Sequence, residues 1–261
     1  MKIKLVVLGA GKLGGIIARC WKEGKLPDYE LIGIMSRSES SARALAEEVG
    51  VRWTTDRNEM LSWGPQIVAE AASVEAVRDN AIAILEAHSD LVTLAIGAFA
   101  DSDFYNEVIE TARRCGQKVH IASGAIGGFD LMRTAGVMSD ISASITSETG
   151  PSYLRKTPVF KEEMMESRET MTAFEGNAKE AIAILPRRVN VAVATSLATC
   201  GPENTGVRIL STPGFVGDTH TIRVKGEEID ATISIYSATS RIAGYSVVAL
   251  LNNLASPIQF Q

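Results

Sequence analysis

The sequence has few of the features that mark secreted, membrane-spanning or nucleic-acid-binding proteins. Its 261 residues include only three cysteines, which are too scattered for a disulfide framework or a metal site: Cys20, Cys115 and Cys200. No apolar run reaches the roughly 18 residues that span a bilayer, and no signal-peptide cleavage site follows the start. The net charge of -5 provides no basic field for phosphate chains. We therefore expect a cytoplasmic protein with no membrane or nucleic-acid partner and no metal.

The composition is that of a self-sufficient globular protein. Hydrophobic residues make up 46% of the chain and charged residues 22%. A chain of this length buries roughly 70% or more of its surface on folding, so it needs no covalent staple. The length fits one large domain or two small ones.

The first half of the chain alternates short β-rich runs with segments of helical periodicity. This alternation is typical of a parallel sheet covered by helices. It predicts an α/β fold whose N-terminal part, residues 1–122, is a doubly wound Rossmann domain of five or six strands. The strands that can be named are Lys2–Leu8, Leu31–Met35, Gln66–Ala69, Leu91–Leu94 and Lys118–Ile121.

The alternation ends after Ser123. Helical and strand-like segments then follow one another without strict order: Phe129–Met138, Ile141–Thr146, an irregular Gly-Pro-Ser segment, Ala178–Ile184, Val191–Thr199 and three short runs within Val207–Ile235. This order predicts a second, α+β domain over residues 123–240, with one mixed sheet and helices on one face. We expect the last segment, residues 241–261, to form a helix that returns to the first domain.

A glycine-rich turn joins the first predicted strand to the first helix. In Gly9-Ala10-Gly11-Lys12-Leu13-Gly14, the first glycine allows a tight turn, the second lets the backbone approach a pyrophosphate, and the third lets helix and strand pack closely. The helix N-terminus adds positive potential. An ordinary glycine-rich turn is the alternative. The position inside a βαβ unit favours dinucleotide binding by Gly9, Gly11, Lys12, Leu13 and Gly14.

The end of the second strand lacks the acidic residue that binds the ribose 2′-hydroxyl of NAD. Ser36, Arg37 and Ser38 stand there instead. Because a guanidinium attracts a 2′-phosphate and forms bidentate hydrogen bonds with it, we expect these residues to bind the cofactor and to favour NADP over NAD. The alternative is that Arg37 is a solvated residue at the start of a helix.

A second glycine-rich turn, Ser123–Asp130, follows the last strand of the first domain. Its glycines, among them Gly124, allow close approach of a flat ligand, and the carboxyl ends of the strands line the ligand crevice in this architecture. A hinge between the domains is the structural alternative. The two roles are compatible.

Several stretches together resemble the L-aspartate dehydrogenase family. They follow the family order over nearly the whole chain: Gly9–Gly14, Glu70–Ser73, Ser123–Asp130, Phe174–Ala181, Val189–Ala192, and Asp218–His220 with Gly226. The resemblance implies oxidation of L-aspartate to iminoaspartate, and then to oxaloacetate and ammonia, with NAD or NADP, or the reverse reductive amination. It also implies that residues 123–240 form the catalytic and dimerisation domain of a homodimer, and that the protein has a role near the start of NAD synthesis.

The same resemblance assigns individual residues. His220 matches the family's active-site histidine, while Ala125 and Asn190 match positions that contact the cofactor. We also expect Ala72 and Gly124, which lie in two of the matching stretches, to contact the cofactor.

The chemistry of these residues is compatible with other roles. A neutral imidazole can take a proton from the substrate ammonium or from the water that attacks an iminium. His220 shares a predicted strand face with Ile222 and Val224, however, and could be a core residue. Asn190 could cap a helix instead of binding the cofactor. Glu175 and Glu180 are most simply a solvated side chain and a helix-start carboxylate.

Two segments depart from the family pattern. Where family members carry a Thr-Thr-Arg-Lys-Pro-Pro-like stretch, this chain has Thr146–Pro151 with Glu148 in the place of the arginine, unless a shifted register uses Arg155–Pro158. A family loop that contains lysine is shortened to Tyr236–Arg241. Because a dicarboxylate needs cationic or backbone donors, an oxidoreductase of the same fold acting on another amino acid, imine or oxoacid stays open. A non-catalytic NADP-binding sensor is the third reading.

Overall fold

The computed structural model describes residues 2–185 and 190–260. The chain divides into two units, of which the first comprises Met1–Gly124 and Arg241–Phe260 and the second comprises Ala125–Ser240. None of the helices in the described ranges has the length and apolar character needed to cross a membrane.

The first unit is built on a parallel sheet, which contains six strands in the described residues, in the spatial order β3-β2-β1-β4-β5-β6. The elements along the chain are β1 (Ile3–Leu8), α1 (Lys12–Lys22), β2 (Tyr29–Met35), α2 (Glu39–Val49), β3 (Arg52–Thr54), α3 (Arg57–Ser62), β4 (Ile67–Glu70), α4 (Val74–Glu86), β5 (Asp90–Thr93), a 3-10 helix (Ile96–Ala100), α5 (Ser102–Cys115) and β6 (Val119–Ile121). The strand order reverses between β1 and β4, where doubly wound sheets bind their ligands. The predicted Rossmann architecture is confirmed.

Side-chain caps start the helices of this unit at the carboxyl edge of the sheet. Ser38, Asp56, Ser73 and Asp101 each accept a hydrogen bond from a backbone N–H in the first turn of α2, α3, α4 and α5. Such caps satisfy donors that have no partner inside the helix. α2, α3 and α4 each begin within four residues of the strand that precedes them, whereas the 3-10 helix separates α5 from β5.

Two short elements were not among the segments named from the sequence. The strand β3 has only three residues, and the helix α3 that follows it has six. Neither is long enough to show a period of two or of 3.6 residues. They matter because β3 pairs with β2, which brings the segment that follows β3 beside the end of β2.

The second unit is built on a mixed sheet, and its described strands have the spatial order β11-β10-β7-β9-β8. The elements are α6 (Phe129–Met138), β7 (Ser142–Thr149), α7 (Pro151–Leu154), α8 (Glu163–Glu166), β8 (Met171–Asn177), α9 (Ala178–Ile184), α10 (Asn190–Ala198), β9 (Thr205–Ser211), β10 (Asp218–Lys225) and β11 (Asp230–Ser237). β7 and β9 are parallel, and the other pairs are antiparallel. The predicted α+β class is confirmed.

The structure corrects two details of the second unit. β7 runs to Thr149, three residues beyond the predicted end, and Pro151 then starts a short helix instead of an irregular segment. The polar residues at the end of β7 lack an apolar alternation, although Thr149 is buried. β8 was not predicted, because its residues are half-buried or exposed and show no continuous apolar run.

The last helix, α11 (Arg241–Ala255), belongs to the first unit, as predicted. Its buried side chains include Val247 and Leu251, and Gly244 lies against Ile16 of α1. The hydroxyl of the buried Tyr29 in β2 donates a hydrogen bond to the Leu251 carbonyl at 2.7 Å. Burial raises the pKa of Tyr29 to about 12, so the hydroxyl remains a donor at neutral pH.

Replacing Tyr29 with phenylalanine tests this attachment. Tyr29→Phe removes a buried hydrogen bond and leaves the ring in place, so we expect the free energy of unfolding to fall by about 1 kcal/mol. Urea denaturation followed by circular dichroism measures the change. The matched control is Tyr236→Phe, since Tyr236 donates to the Val216 carbonyl but is 59% exposed, and water can replace its bond. An equal loss in both variants would contradict the prediction.

Candidate functional site

The glycine-rich turn between β1 and α1 has a geometry that larger side chains cannot adopt. Gly9 has a φ of +117°, a conformation that L-residues rarely adopt. A Cβ on Gly14 would lie 1.8 Å from the Gly9 carbonyl oxygen. α1 therefore packs directly on the turn, with its N-terminus at the carboxyl edge of the sheet.

Gly11 differs from its two neighbours in the motif. A Cβ built on it meets no atom within 4 Å, so the space beside its backbone is open. It occupies the N-cap position of α1 and has no side chain to satisfy the first N–H groups of the helix. Open space next to unsatisfied backbone donors is the environment that a pyrophosphate requires. The turn thus fits a dinucleotide.

The two residues between Gly11 and Gly14 make different contributions. Leu13 is half-buried, and its side chain packs against the core of the first unit. At the start of α1 it can therefore offer its backbone, and not its side chain, to a ligand. Lys12 is exposed in the first turn of α1.

A cleft of about 530 Å³ lies over this turn, within the first unit. Its size is within the range of small-molecule sites. Six of the residues predicted to bind the cofactor line it: Gly9, Gly11, Ser36, Arg37, Ser38 and Ala72. The sequence reasoning missed other lining residues, among them Ser41, Thr55, Arg57 and Asn80.

Two guanidinium groups line the same cleft. Arg37 follows β2 and is exposed, and Arg57 begins α3. Arg57 donates from Nη1 to the Asp79 carbonyl at 2.6 Å, which holds its side chain against α4. The nearby Asp56 carboxylate accepts the Glu59 N–H at 2.8 Å as the α3 cap. The pairing of β2 with β3 could have indicated Arg57, had the three-residue strand been recognised.

The second glycine-rich turn contains the boundary between the two units, which falls between Gly124 and Ala125. Gly124 has a φ of +64°, and its N–H donates to the Ser246 hydroxyl of α11 at 3.0 Å. In the second unit, Gly128 has a φ of +78° and precedes α6. Ala125 is half-buried.

His220 lies on β10 beside a hydroxyl group of the neighbouring strand. It pairs in register with Ser147 of β7, and its Nδ1 lies 2.9 Å from the Ser147 hydroxyl oxygen. Burial lowers the pKa of His220, and the negative charge of Asp218 opposes this shift only in part. The imidazole is therefore neutral at physiological pH, and the contact with Ser147 fixes the orientation of its ring.

The face of β10 that carries His220 also carries Ile222 and Val224, both fully buried. His220 itself is only half-buried. In the described part of the chain, its one hydrogen bond joins Nδ1 and the Ser147 hydroxyl, so no side chain there occupies Nε2. This ring edge is the one that can exchange a proton with a ligand.

Glu148 points away from His220. Successive side chains of a strand alternate between faces, so Glu148 lies on the face opposite to Ser147. Its Oε1 accepts a hydrogen bond from the Thr212 hydroxyl at 2.6 Å. Arg155 and Lys156 follow α7 and are exposed. Arg241 belongs to α11 of the first unit, where its guanidinium donates to the Tyr245 hydroxyl.

The remaining predicted residues fall on helices of the second unit. Asn190 is half-buried and is the first residue of α10. Val189, which opens the matching stretch, lies outside the described residues. Glu180 completes a capping box with Asn177 at the start of α9, which confirms its interpretation as a helix-start carboxylate.

Two family models together match most of the chain. The family model described as "Aspartate dehydrogenase, C-terminal" matches residues 130–254, and the model of the NAD binding domain of homoserine dehydrogenase matches residues 9–122. The first unit is therefore a nicotinamide dinucleotide-binding domain by family.

Two relatives that align with nearly the whole chain have the same name. The L-aspartate dehydrogenases of Methanospirillum hungatei and Methanococcus maripaludis strain C6 are 33% and 30% identical to this chain, each over 98% of both sequences. The crystal structure of an aspartate dehydrogenase from Thermotoga maritima has the same fold, with a TM-score of 0.80 and 23% identity over 100% of both chains. The chain belongs to the L-aspartate dehydrogenase family.

Proposed function

We propose that this protein is an NAD(P)-dependent L-aspartate dehydrogenase. It converts L-aspartate, water and the oxidised cofactor to oxaloacetate, ammonium, the reduced cofactor and a proton, or runs the reverse reaction. The observation that carries the proposal is the full-length similarity to L-aspartate dehydrogenases, at 33% identity over 98% of both chains. The glycine cleft and the His220–Ser147 pair supply groups that this chemistry requires.

Different residues are proposed to bind the cofactor and to transfer the proton. When bound, the nicotinamide ring accepts a hydride from the α-carbon of the amino acid. The glycine turn and the start of α1 hold the pyrophosphate on backbone N–H groups. Neutral His220 takes a proton from the substrate ammonium or from the water that adds to the imine, and Ser147 orients its ring for that transfer. Gly124, Ala125 and Asn190 are proposed to contact the cofactor.

We propose NADP as the preferred cofactor, because Arg37 and Arg57 line one cleft and no carboxylate stands at positions 36–38. A 2′-phosphate can form charge-assisted bidentate hydrogen bonds with such groups.

The family resemblance further supports a homodimer that works near the start of NAD synthesis. The three cysteines are free, as in proteins of a reducing cytoplasm.

A second candidate is a dehydrogenase of the same fold that acts on another amino acid, imine or oxoacid. The observation that favours it is Glu148, an acid that accepts a hydrogen bond from Thr212 and stands in the place of the family's arginine unless Arg155–Pro158 takes that role in a shifted register. A third candidate, a non-catalytic NADP sensor, keeps the cleft but makes no use of His220.

The experiment that separates these candidates follows absorbance at 340 nm with purified protein. NADPH or NADH is mixed with oxaloacetate and ammonium, and L-aspartate is tested with the oxidised cofactors. Ammonium-dependent turnover supports aspartate dehydrogenase. Tight cofactor binding without turnover on these substrates favours the second candidate, and a panel of oxoacids then separates it from the sensor.

Gly11→Ala tests the cofactor site. We expect the variant to fold normally, because its Cβ meets no atom within 4 Å, but to bind NADPH at least about tenfold more weakly, since the methyl group enters the space of the pyrophosphate. NADPH fluorescence measures the dissociation constant. Gly136→Ala in α6 is the control, because its Cβ also finds room, with Ile141 3.7 Å away. An unchanged NADPH dissociation constant for Gly11→Ala would show that the pyrophosphate does not bind at this turn.

Arg37→Ala and Arg57→Ala test the preference for NADP. Loss of a hydrogen bond to a charged group costs about 1.5–3 kcal/mol, so we expect roughly ten- to hundredfold weaker NADPH binding and little change for NADH. Calorimetric titration with both cofactors gives the ratio. Arg43→Ala is the control, because Arg43 pairs with Glu39 and stacks on Trp53. Equal losses for both cofactors would contradict a 2′-phosphate site.

His220→Ala tests the proton transfer. We expect kcat to fall by about two orders of magnitude or more, the usual contribution of a general acid-base group, with NADPH binding unchanged. The control is His88→Asn, since His88 is exposed in the first unit and asparagine tolerates its φ of 58°. Unchanged turnover in His220→Ala would show that this histidine has a structural role and no part in proton transfer.

The pH profile gives an independent reading of the same group. Because burial lowers the pKa of His220 below its ordinary value of 6.5, the imidazole stays neutral as the pH falls toward that value. The acid limb of kcat/KM should therefore have its midpoint below pH 6.5. A midpoint above that value would show that His220 is not the group that titrates.

A further inference from the structure

Glu70 is a buried carboxylate at the edge of the sheet that carries the cleft. It is the last residue of β4, which lies between β1 and β5, and its side chain is 0% exposed. Isolating a carboxylate from water is costly unless hydrogen bonds replace its hydration. Burial accordingly raises the pKa of Glu70, while the hydrogen bonds that it accepts act in the opposite direction.

Five donors surround the two carboxylate oxygens. Oε1 accepts from the backbone N–H groups of Ala72 at 2.7 Å and Ser73 at 3.0 Å. Oε2 accepts from the Thr93 hydroxyl at 2.7 Å and from the N–H groups of Leu94 at 3.2 Å and Ala95 at 3.1 Å. One oxygen therefore holds the loop after β4, and the other holds the turn after β5.

The loop held by Oε1 is a wall of the cleft. Ala71, Ala72 and Ser73 all line it. The loop also contacts the glycine turn, because the Ala71 N–H donates to the Leu8 carbonyl at 2.9 Å and a Cβ on Gly9 would lie 2.8 Å from the Ala71 carbonyl oxygen. A shift of this loop would thus alter both the wall and the surroundings of Gly9.

We propose that Glu70 is a positioning residue for the dinucleotide, which presupposes the cofactor binding proposed above. Its carboxylate holds the Ala71–Ser73 loop in the binding-competent position before any cofactor arrives. Glu70 does not contact the cofactor itself, because it is fully buried and does not line the cleft. It acts through the backbone of Ala72 and Ser73.

Glu70→Gln tests the proposal with nearly unchanged volume. The glutamine amide has one acceptor oxygen and one NH2 group in place of two acceptor oxygens. Its NH2 group would therefore lie against the N–H donors of one of the two loops and could not accept their hydrogen bonds. We expect the dissociation constant for NADPH to rise at least about tenfold, with faster amide hydrogen exchange at Ala72 and Ser73 or at Leu94 and Ala95. Thr93→Val is the matched control, since it removes a single donor to the same carboxylate and leaves all four backbone donors. It should lower the melting temperature and change the NADPH constant by less than about twofold.

A measurement on the unmodified protein keeps the test independent of how well Glu70→Gln folds. Without cofactor, the amides of Ala72 and Ser73 should already be protected from exchange, and NADPH should add little protection. Free exchange that becomes slow only when NADPH binds would overturn the proposal. A Glu70→Gln protein that binds NADPH as tightly as the wild type would also overturn it, whereas failure of the wild type to bind NADPH or NADH would overturn the proposed function as well.

Discussion

The approach of α1 to the end of β1 is the constraint on which the dinucleotide cleft depends. Only glycine at position 14 allows it, since a Cβ there would lie 1.8 Å from the Gly9 carbonyl oxygen. The contact places the first N–H groups of α1 at the carboxyl edge of the sheet. It also leaves the space beside Gly11 open, and the loop after β4 closes around Gly9. The cleft is therefore a product of backbone proximity more than of particular side chains.

In the second unit, strand register places the candidate catalytic side chain. The pairing of β10 with β7 sets His220 beside Ser147, and burial keeps the imidazole neutral. The same alternation turns Glu148 to the opposite face, where Thr212 binds it. The Glu148 carboxylate therefore does not neighbour the histidine. Substrate preference depends on groups other than a contact between these two side chains.

The parts of the fold that could be predicted are those with a repeated local signal. The limits of α6 and α9 follow from periodicity, and the glycine turn follows from its spacing. Arg57 could not be found in this way, because it reaches the cleft only through the pairing of the three-residue strand β3 with β2. The role of Glu70 was equally hidden, since its five donors come from two loops that are separated by about twenty residues and no local pattern marks them.

The proposed reaction transfers a hydride from the α-carbon of L-aspartate to a cofactor held by the first unit. L-aspartate deuterated at the α-carbon tests this transfer when it is incubated with oxidised NADP and the reduced cofactor is analysed by mass spectrometry. We expect one deuterium in the cofactor for each oxaloacetate formed. Oxaloacetate without deuterium in the cofactor, or no reaction under conditions where NADP is bound, would contradict it.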